Sequence, residues 1–369
     1  MKNVVLIYGG KSGEHEVSLR SAAAVFSNIN RNKYRIKCIG ISKEGIWYKI
    51  PETAVKEQVD QGKSLRIIPE PANIVSGVPG KGLFCGEKKI KADIIFPVLH
   101  GSFGEDGTIQ GFCELIDLPY TGSGVLGSSL AMDKEMTKRV WSEAMLPVVP
   151  YQVLQREDIS DPDFSLEAFI TLLHEDIGFP LFVKPARTGS SVGVVKVQVP
   201  EDFHSALEES FQYDTKVLIE KGIDGREIEC SVIGNTSLRA FLPGEIIPGH
   251  DFYDYSAKYI DENGAALVIP AELDEEIGCQ VQETAKKAYA TVCAEGFARV
   301  DLFVEKTTGR IYLNEINTIP GFTEISMFPK LCEISGLSFT RLLDALLDFA
   351  LSRYEVRKKL KYSFNSTSD

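Results

Sequence analysis

Residues 297–326, FARVDLFVEKTTGRIYLNEINTIPGFTEIS, constrain the fold more than any other stretch of this chain. Two runs rich in Val, Ile, Leu, Phe and Tyr flank Thr307-Thr308-Gly309. Glycine at the last position of a three-residue connection supplies the left-handed backbone that such a turn needs. The spacing predicts a β-hairpin in which Lys306 faces Arg310. Counting back along the ladder sets Asp301 opposite Glu315 and Arg299 opposite Asn317. Side chains alternate between the faces of a strand, so these four project from one face. A surface with cross-strand salt bridges is one account of such a face. A cation site is the other, because carboxylates directly opposed repel each other and a divalent ion relieves the repulsion. Oxygen-only donors from Asp, Glu and Asn suit Mg²⁺, which keeps waters and takes substrate phosphates as further ligands. Taken alone, the hairpin leaves both accounts open.

At 369 residues the chain is long enough for two or three domains and a sizeable core. Its net charge of -12 argues against a broad nucleic-acid footprint, which needs a basic face. No apolar run approaches the ~20 residues of a membrane span. The N-terminal MKNVVLIYGG lacks the length and cleavage pattern of a signal peptide and reads as a first buried strand. The seven cysteines are scattered singly, without CxxC or His-rich spacing, which predicts reduced thiols in a cytoplasm rather than a disulfide or zinc framework.

In chain order, a strand at Val4–Tyr8, a loop at 9–13 and a helix from Glu14 to Asn28 predict a doubly wound α/β unit, with ligands at the carboxyl end of the strand. No GxxxxGK[ST] occurs, so the loop is not a P-loop. The turn instead delivers Glu14 to a helix start, where a carboxylate either complements the dipole or binds an ammonium group. Further strands are expected at Tyr34–Ile41 and Ala92–Leu99, the latter ending in His100 and a Gly-rich run. His100 is read either as a binding residue or as a satisfied structural histidine. Residues 50–90 suggest no chemistry. TGSGVLGSSLAMDK at 121–134 reads as a hinge, and Met132–Met145 as a helix with Lys134 in its first turn, against the dipole preference and so suited to a phosphate. Strands at Phe182–Pro185 and Val195–Val199 flank a Gly/Ser-rich loop whose N–H groups can cap phosphate oxygens, unless it is an ordinary hairpin loop. A helix over 201–214, strands at Val217–Lys221 and Gly225–Gly234, an aromatic lid at 251–259, and helices at Gln280–Cys293 and Leu337–Leu351 complete the expected elements.

Seven motifs in order carry a family resemblance: GGKSGEHEVS at 9–18, HGSFGEDGTIQG at 100–111, VKPARTGSSVGV at 183–194, IEKGIDGREIE at 219–229, FYDYSAKY at 252–259, FARVDLF at 297–303 and NEINTIPGFTEIS at 314–326. On these the chain resembles the D-alanine–D-alanine ligases of the ATP-grasp superfamily. The resemblance implies an α/β fold, α+β in its ATP-grasp part. A Rossmann-like N-terminal substrate domain would span 1–122 and a central ATP-grasp subdomain 123–219. A C-terminal subdomain with metal site and lid would span 220–355, and a tail 356–369. It implies that Asp301, Glu315 and Asn317 hold two Mg²⁺, with Mn²⁺ able to substitute. Lys134 and Lys184 would contact phosphates, and Glu220, Lys221 and Glu227 the adenosine, while the loop at Ser190 and Ser191 closes over ATP. Glu14 would hold the ammonium of the first D-alanine near His100, with Ser190 and Tyr259 completing a network. Lys258 would reach in from the lid. Arg299 and the Gly321 N–H would form the oxyanion site, and Ser326 would bind the second carboxylate.

The implied activity is ATP-driven joining of two D-alanines through an acyl phosphate, for peptidoglycan precursor synthesis, in a cytoplasmic homodimer with possible K⁺ activation and no nucleic-acid or membrane partner. A D-alanine–D-lactate ligase, an ATP-grasp enzyme with another acid and amine, and a non-catalytic nucleotide-binding module are the alternatives. Ser256 and Ala186 depart from residues common in the family at those positions, and neither carries an implied role.

Overall fold

A computed structural model describes residues 1–249 and 265–361. The expected lid at 251–259, with Ser256, Lys258 and Tyr259, lies outside the described residues.

The N-terminal part is built on a four-stranded sheet, in which Lys2–Gly9 pairs in parallel with Tyr34–Ile41 on one side and Ile94–Val98 on the other, and Trp47–Ile50 adds an antiparallel edge. Both faces of the first strand are buried, which is why it reads as an unbroken apolar run. Its even-numbered side chains, Val4, Leu6 and Tyr8, face the helix His15–Asn28 and the last helix, Phe339–Arg357. The odd-numbered Val5 and Ile7 face the helix Thr108–Leu115 and a small sheet made by Val75–Val78, Gly82–Cys85 and Lys88–Lys89. The stretch 50–90, which suggested no chemistry, thus covers both faces of this sheet: Val55 and Leu65 join the even-numbered side, and Val75, Leu83 and Ile90 the odd-numbered side.

Two antiparallel sheets follow. In the first, the strand order places Leu181–Pro185 between Val195–Val197 and Lys216–Lys221, with Tyr151–Gln155 outermost. Helices Leu166–Asp176 and Phe203–Ser210 cover one face. The second is six-stranded, with Gly225–Gly234 and Gly296–Glu305 at its centre and Ile311–Asn317 at its edge. Ala298, Val300, Leu302 and Val304 bury against the helix Glu275–Thr291, so the odd-numbered residues of that strand face the other way.

Several boundaries move for local reasons. The helix expected over 132–145 is two helices, Val125–Met132 and Lys134–Glu143, because Asp133 is extended (φ -91°, ψ 101°) and its carboxylate caps Met136 N–H at 3.1 Å. The helix expected over 201–214 shortens to Phe203–Ser210, and that expected over Gln280–Cys293 begins earlier, at Glu275. The final helix runs on to Arg357, beyond Leu351.

The N- and C-terminal parts share one core. Phe322, fully buried, packs edge-on against Phe96 of the parallel sheet (5.9 Å between centroids) and against Phe297 and Phe328 (5.6 Å each). Truncating a buried aromatic forfeits both its burial and the packing around it. Phe322→Ala is therefore expected to destabilise the protein by about 3–5 kcal/mol, read as a lower midpoint in urea at unchanged slope. A loss below about 1 kcal/mol would mean that the shared core does not depend on this ring.

Candidate active site

The hairpin sets the acidic face where expected, although by a different route. Asp301 faces Glu315 and Arg299 faces Asn317, but Leu302 pairs with Leu313 and Val304 with Ile311. The connection is one residue longer than the sequence suggests, since Glu305 N–H donates to Arg310 O. A bulge at Asn314 then restores the register beyond Asp301. The bulge also leaves Asn314 Oδ1 accepting from Lys184 Nζ at 3.2 Å, which links this edge strand to the other antiparallel sheet.

Glu229, on the neighbouring strand, pairs with Asp301. Three carboxylates, from Glu229, Asp301 and Glu315, therefore stand abreast across three adjacent strands. Like charges so placed need cations. Arg299 forks onto Asp301 through Nε and Nη2, both at 2.7 Å, with Nε also 3.1 Å from Glu229. Burial opposes the charge on Arg299, but Asp301 and Glu229 hold its guanidinium well above its ordinary pKa. Lys134 Nζ lies 3.4 Å from Glu315 and donates to Thr188 O at 2.7 Å, joining the acidic row to the Gly/Ser-rich loop. Asn317 presents Nδ2 to Asp301 at 3.0 Å. Among the described residues no three His, Cys, Asp or Glu side chains converge in metal-ligand fashion, because Arg299 and Lys134 hold the acidic oxygens. The donor set itself fits a hard cation, with opposed carboxylates and an amide that can turn its oxygen inward.

The opposite wall comes from the first antiparallel sheet. Val183, Val217 and Ile219 bury beneath the covering helices, so Lys184 and Glu220 face the acidic row. Glu220 is almost fully buried and holds two cations, Lys184 at 2.6 Å and Lys138 at 3.1 Å. Burial alone would raise the Glu220 carboxyl, but the two lysines override it and keep it below the usual range. Lys138, completely buried, is pushed down to about 8 by burial despite the pull of Glu220. Lys221 is exposed at the end of this strand. Glu227 is half-buried on the same face of its strand as Glu229.

The third wall is N-terminal. Glu14 precedes the first helix, with its Oε1 accepting from Ser190 Oγ at 2.5 Å. This bond brings the Gly/Ser-rich loop onto the N-terminal part, and both Ser190 (φ 54°) and Ser191 (φ 57°) take left-handed backbone to do so. A side chain on Gly101 (φ +70°) would come within 2.6 Å of Glu14 Oε2, which is why the approach is open only to glycine. His100 sits at the end of Ile94–Val98, buried, with Nδ1 2.8 Å from Ile319 O and Nε2 3.1 Å from Ser21 Oγ. Both ring nitrogens are thus engaged within the protein, and burial lowers its pKa despite nearby Glu14. Glu105 accepts from Gly101 N–H and Ile319 N–H, and burial together with Glu14 pushes its carboxyl up to about 8. Ser326 lies beside Gly321, accepting from Thr323 N–H at 3.0 Å.

The structure therefore brings together Glu14, His100, Lys134, Lys184, Ser190, Arg299, Asp301, Glu315 and Asn317. Glu105, Lys138 and Glu229 belong with them and carried no expectation. Strand alternation from Glu227 to Ser231 was the available signal for Glu229. An open cavity of about 550 Å³, lined in part by Glu114, Leu126, Tyr289 and Arg357, lies apart from these residues.

A parallel α/β unit beside two antiparallel sheets, with lysines facing carboxylates between them, defines an ATP-grasp ligase. Family models described as "D-ala D-ala ligase N-terminus" and "D-ala D-ala ligase C-terminus" match residues 3–123 and 140–348. The chain belongs to the D-alanine–D-alanine ligase family. A D-alanine–D-alanine ligase from Treponema denticola is 48% identical over 364 residues, covering 97% of this chain and 98% of the relative. One from Thermoanaerobacter sp. is 46% identical over 357 residues, covering 96% and 97%. Among solved structures, the D-alanine–D-alanine ligase of Coxiella burnetii superposes with a TM-score of 0.82 at 34% identity, covering 97% of this chain and 98% of that one. The VanG D-Ala:D-Ser ligase of Enterococcus faecalis gives 0.81 at 37%, covering 95% and 99%.

Proposed function

We propose that the protein joins two D-alanine molecules into D-alanyl-D-alanine at the expense of ATP, releasing ADP and phosphate for cell-wall precursor synthesis. The observation that carries this reading is the meeting of three walls: the Glu14–Ser190 contact at 2.5 Å, the lysine pair at Glu220, and the row of Glu229, Asp301 and Glu315. Glu14 supplies a carboxylate for the ammonium of the first D-alanine, whose own carboxylate then lies toward Arg299. The γ-phosphoryl group passes to a carboxylate oxygen of that substrate, giving an acyl phosphate and ADP. Lys134 and Lys184 orient the phosphates, since this transfer depends mainly on positioning and charge neutralisation. Asp301, Glu315 and Asn317 would hold Mg²⁺, or Mn²⁺ in its place, which supplies positive charge to the phosphate oxygens. Glu220, Lys221 and Glu227 serve the nucleoside end, and Ser191 the loop over ATP.

In the second step, the free amine of the other D-alanine attacks the acyl carbon and the phosphate leaves. Arg299 and Gly321 N–H receive the charge that develops on the carbonyl oxygen, and Ser326 receives the second carboxylate. Tyr259 and Lys258 are assigned to the covering lid on the resemblance alone. The same basis supports the division at 122 and 219, a homodimer and a cytoplasmic setting. None of the seven cysteines is disulfide-bonded, and no described helix is long and apolar enough to cross a membrane.

The test is D-alanine-dependent phosphate release with ATP and Mg²⁺, with product masses read for D-alanine alone and with added D-serine or D-lactate, each with and without K⁺. Absence of D-alanine-dependent release would sink the reading. A mixed product formed in preference to the dipeptide would reassign the second substrate. Gly101→Ala, which drives a methyl group into Glu14, is expected to raise KM for D-alanine by about tenfold, equivalent to ~1.4 kcal/mol, with KM for ATP unchanged. Equal rises in both constants would remove Glu14 from the D-alanine site.

A further inference from the structure

Glu105 has no part in the steps above, yet both of its carboxyl oxygens are engaged with backbone. Oε2 accepts from Gly101 N–H at 2.9 Å and Oε1 from Ile319 N–H at 3.0 Å. The carbonyl of the same Ile319 accepts from His100 Nδ1 at 2.8 Å. A carbonyl cannot donate, so Nδ1 carries the ring proton and Nε2 is left to accept from the Ser21 hydroxyl. Ser21 Oγ in turn accepts from Phe322 N–H at 3.2 Å. Ile319 is thus held at both its N–H and its C=O, and Phe322 at its N–H and through its buried ring.

Between these anchors lie only Pro320, whose ring fixes φ, and Gly321. A Cβ on Gly321 would come 2.6 Å from Ser326 Oγ, so its peptide is boxed from that side as well. All three clamping side chains, Ser21, His100 and Glu105, come from the N-terminal part, whereas the clamped segment follows the C-terminal hairpin.

The geometry points to Glu105 as a positioning residue for the second step: with His100 and Ser21 it fixes Ile319 and Phe322, and thereby aims the Gly321 N–H at the carbonyl oxygen that gains charge. This inference rests on the ligase reading for the identity of that oxygen, and on the hydrogen bonds alone for the clamp. Glutamine cannot reproduce the contact, because both carboxyl oxygens accept an N–H and the amide NH₂ would meet one of them.

The variants Glu105→Gln, Glu105→Ala and Ser21→Ala test it in the full-length protein. The first readout is amide hydrogen exchange, by mass spectrometry of peptides spanning 317–324, without substrate. The second compares dipeptide release with scrambling of a heavy-oxygen label between the bridge and non-bridge positions of ATP, which reports reversible acyl-phosphate formation in the presence of D-alanine. Faster exchange is expected in all three variants. In Glu105→Gln, dipeptide turnover should fall about 100-fold while scrambling stays within about threefold. Unchanged exchange, or loss of scrambling in parallel with dipeptide release, would overturn the proposal. Should a Glu105 variant fail to fold, Ser21→Ala releases the Phe322 side of the same clamp and must show the same split. A wild-type protein without D-alanine-dependent phosphate release would defeat the ligase reading, and the exchange data would still decide whether the clamp exists.

Discussion

Substitution of Arg299 by lysine is expected to lower turnover for dipeptide formation by roughly 100- to 1000-fold, the loss typical of removing an oxyanion donor. Arg299 makes a planar fork onto Asp301, with both contacts at 2.7 Å, and lies 3.1 Å from Glu229. An ammonium is a point charge and cannot keep that fork while also facing a substrate oxygen. The charge is retained in Arg299→Lys, so the unfolding midpoint should move little. Arg299→Met is the contrasting case. It removes the guanidinium that Asp301 and Glu229 share, and a stability loss of about 3–5 kcal/mol is expected. Steady-state kinetics with a urea melt of each variant separates the two effects. Turnover of the lysine variant within tenfold of wild type would remove Arg299 from the oxyanion site.

The second large effect is expected at Asp301. Asp301→Asn takes one negative charge from the middle of the row formed with Glu229 and Glu315. An amide oxygen is a weaker ligand for a hard cation than a carboxylate. D-Alanine-dependent phosphate release should fall about 100-fold, or about 3 kcal/mol, and saturating Mg²⁺ should not restore it. Circular dichroism should be unchanged, since the strand keeps its backbone ladder, although the new NH₂ faces one of the two Arg299 donors and breaks that arm of the fork. Near-normal release at saturating Mg²⁺ would refute the metal role. Glu315→Gln should behave in the same way and also free Lys134, which lies 3.4 Å from that carboxylate.

Much of the site was legible because strands alternate. Period-two spacing put Arg299 and Asp301 on one face of the hairpin and Glu315 and Asn317 opposite them, as the structure has it. The register emerged correctly through two compensating departures, a longer turn and the bulge at Asn314. The bulge was itself readable. Ile311, Leu313 and Ile316 all bury against the same helix-covered core, a spacing of two and then three that an extra residue produces.

Other features had no such signal. Lys138 lies four residues after Lys134 on a helix rich in charge, the pattern of a solvated face, yet it is fully buried against Glu220. Glu105 sits in a Gly-rich loop without periodicity, and its partner Ile319 is 214 residues away. His100 was left between two roles by the sequence. Its contacts with Ile319 and Ser21 are those of a satisfied structural histidine placed at the site wall. The split of the 132–145 helix turned on the extended backbone of Asp133, a cap that competes with continuation of the helix.

The last helix has a consequence for how the chain is made. Leu342, Leu343, Leu346 and Leu347 complete the core over the even-numbered face of the first strand, and Arg353 donates to Tyr120 O at 2.8 Å and to Gly122 O. Synthesis proceeds from the N-terminus, so this sheet leaves the ribosome well before Phe339–Arg357 and must wait for that helix before the face is sealed. Its odd-numbered face closes far sooner, over residues that end at Tyr120. The nascent protein therefore carries a half-finished layer until that helix emerges, and a message broken shortly before Phe339 would yield a product whose even-numbered face keeps the helix His15–Asn28 but lacks the rest of its apolar cover, the kind of surface that chaperones and proteases recognise.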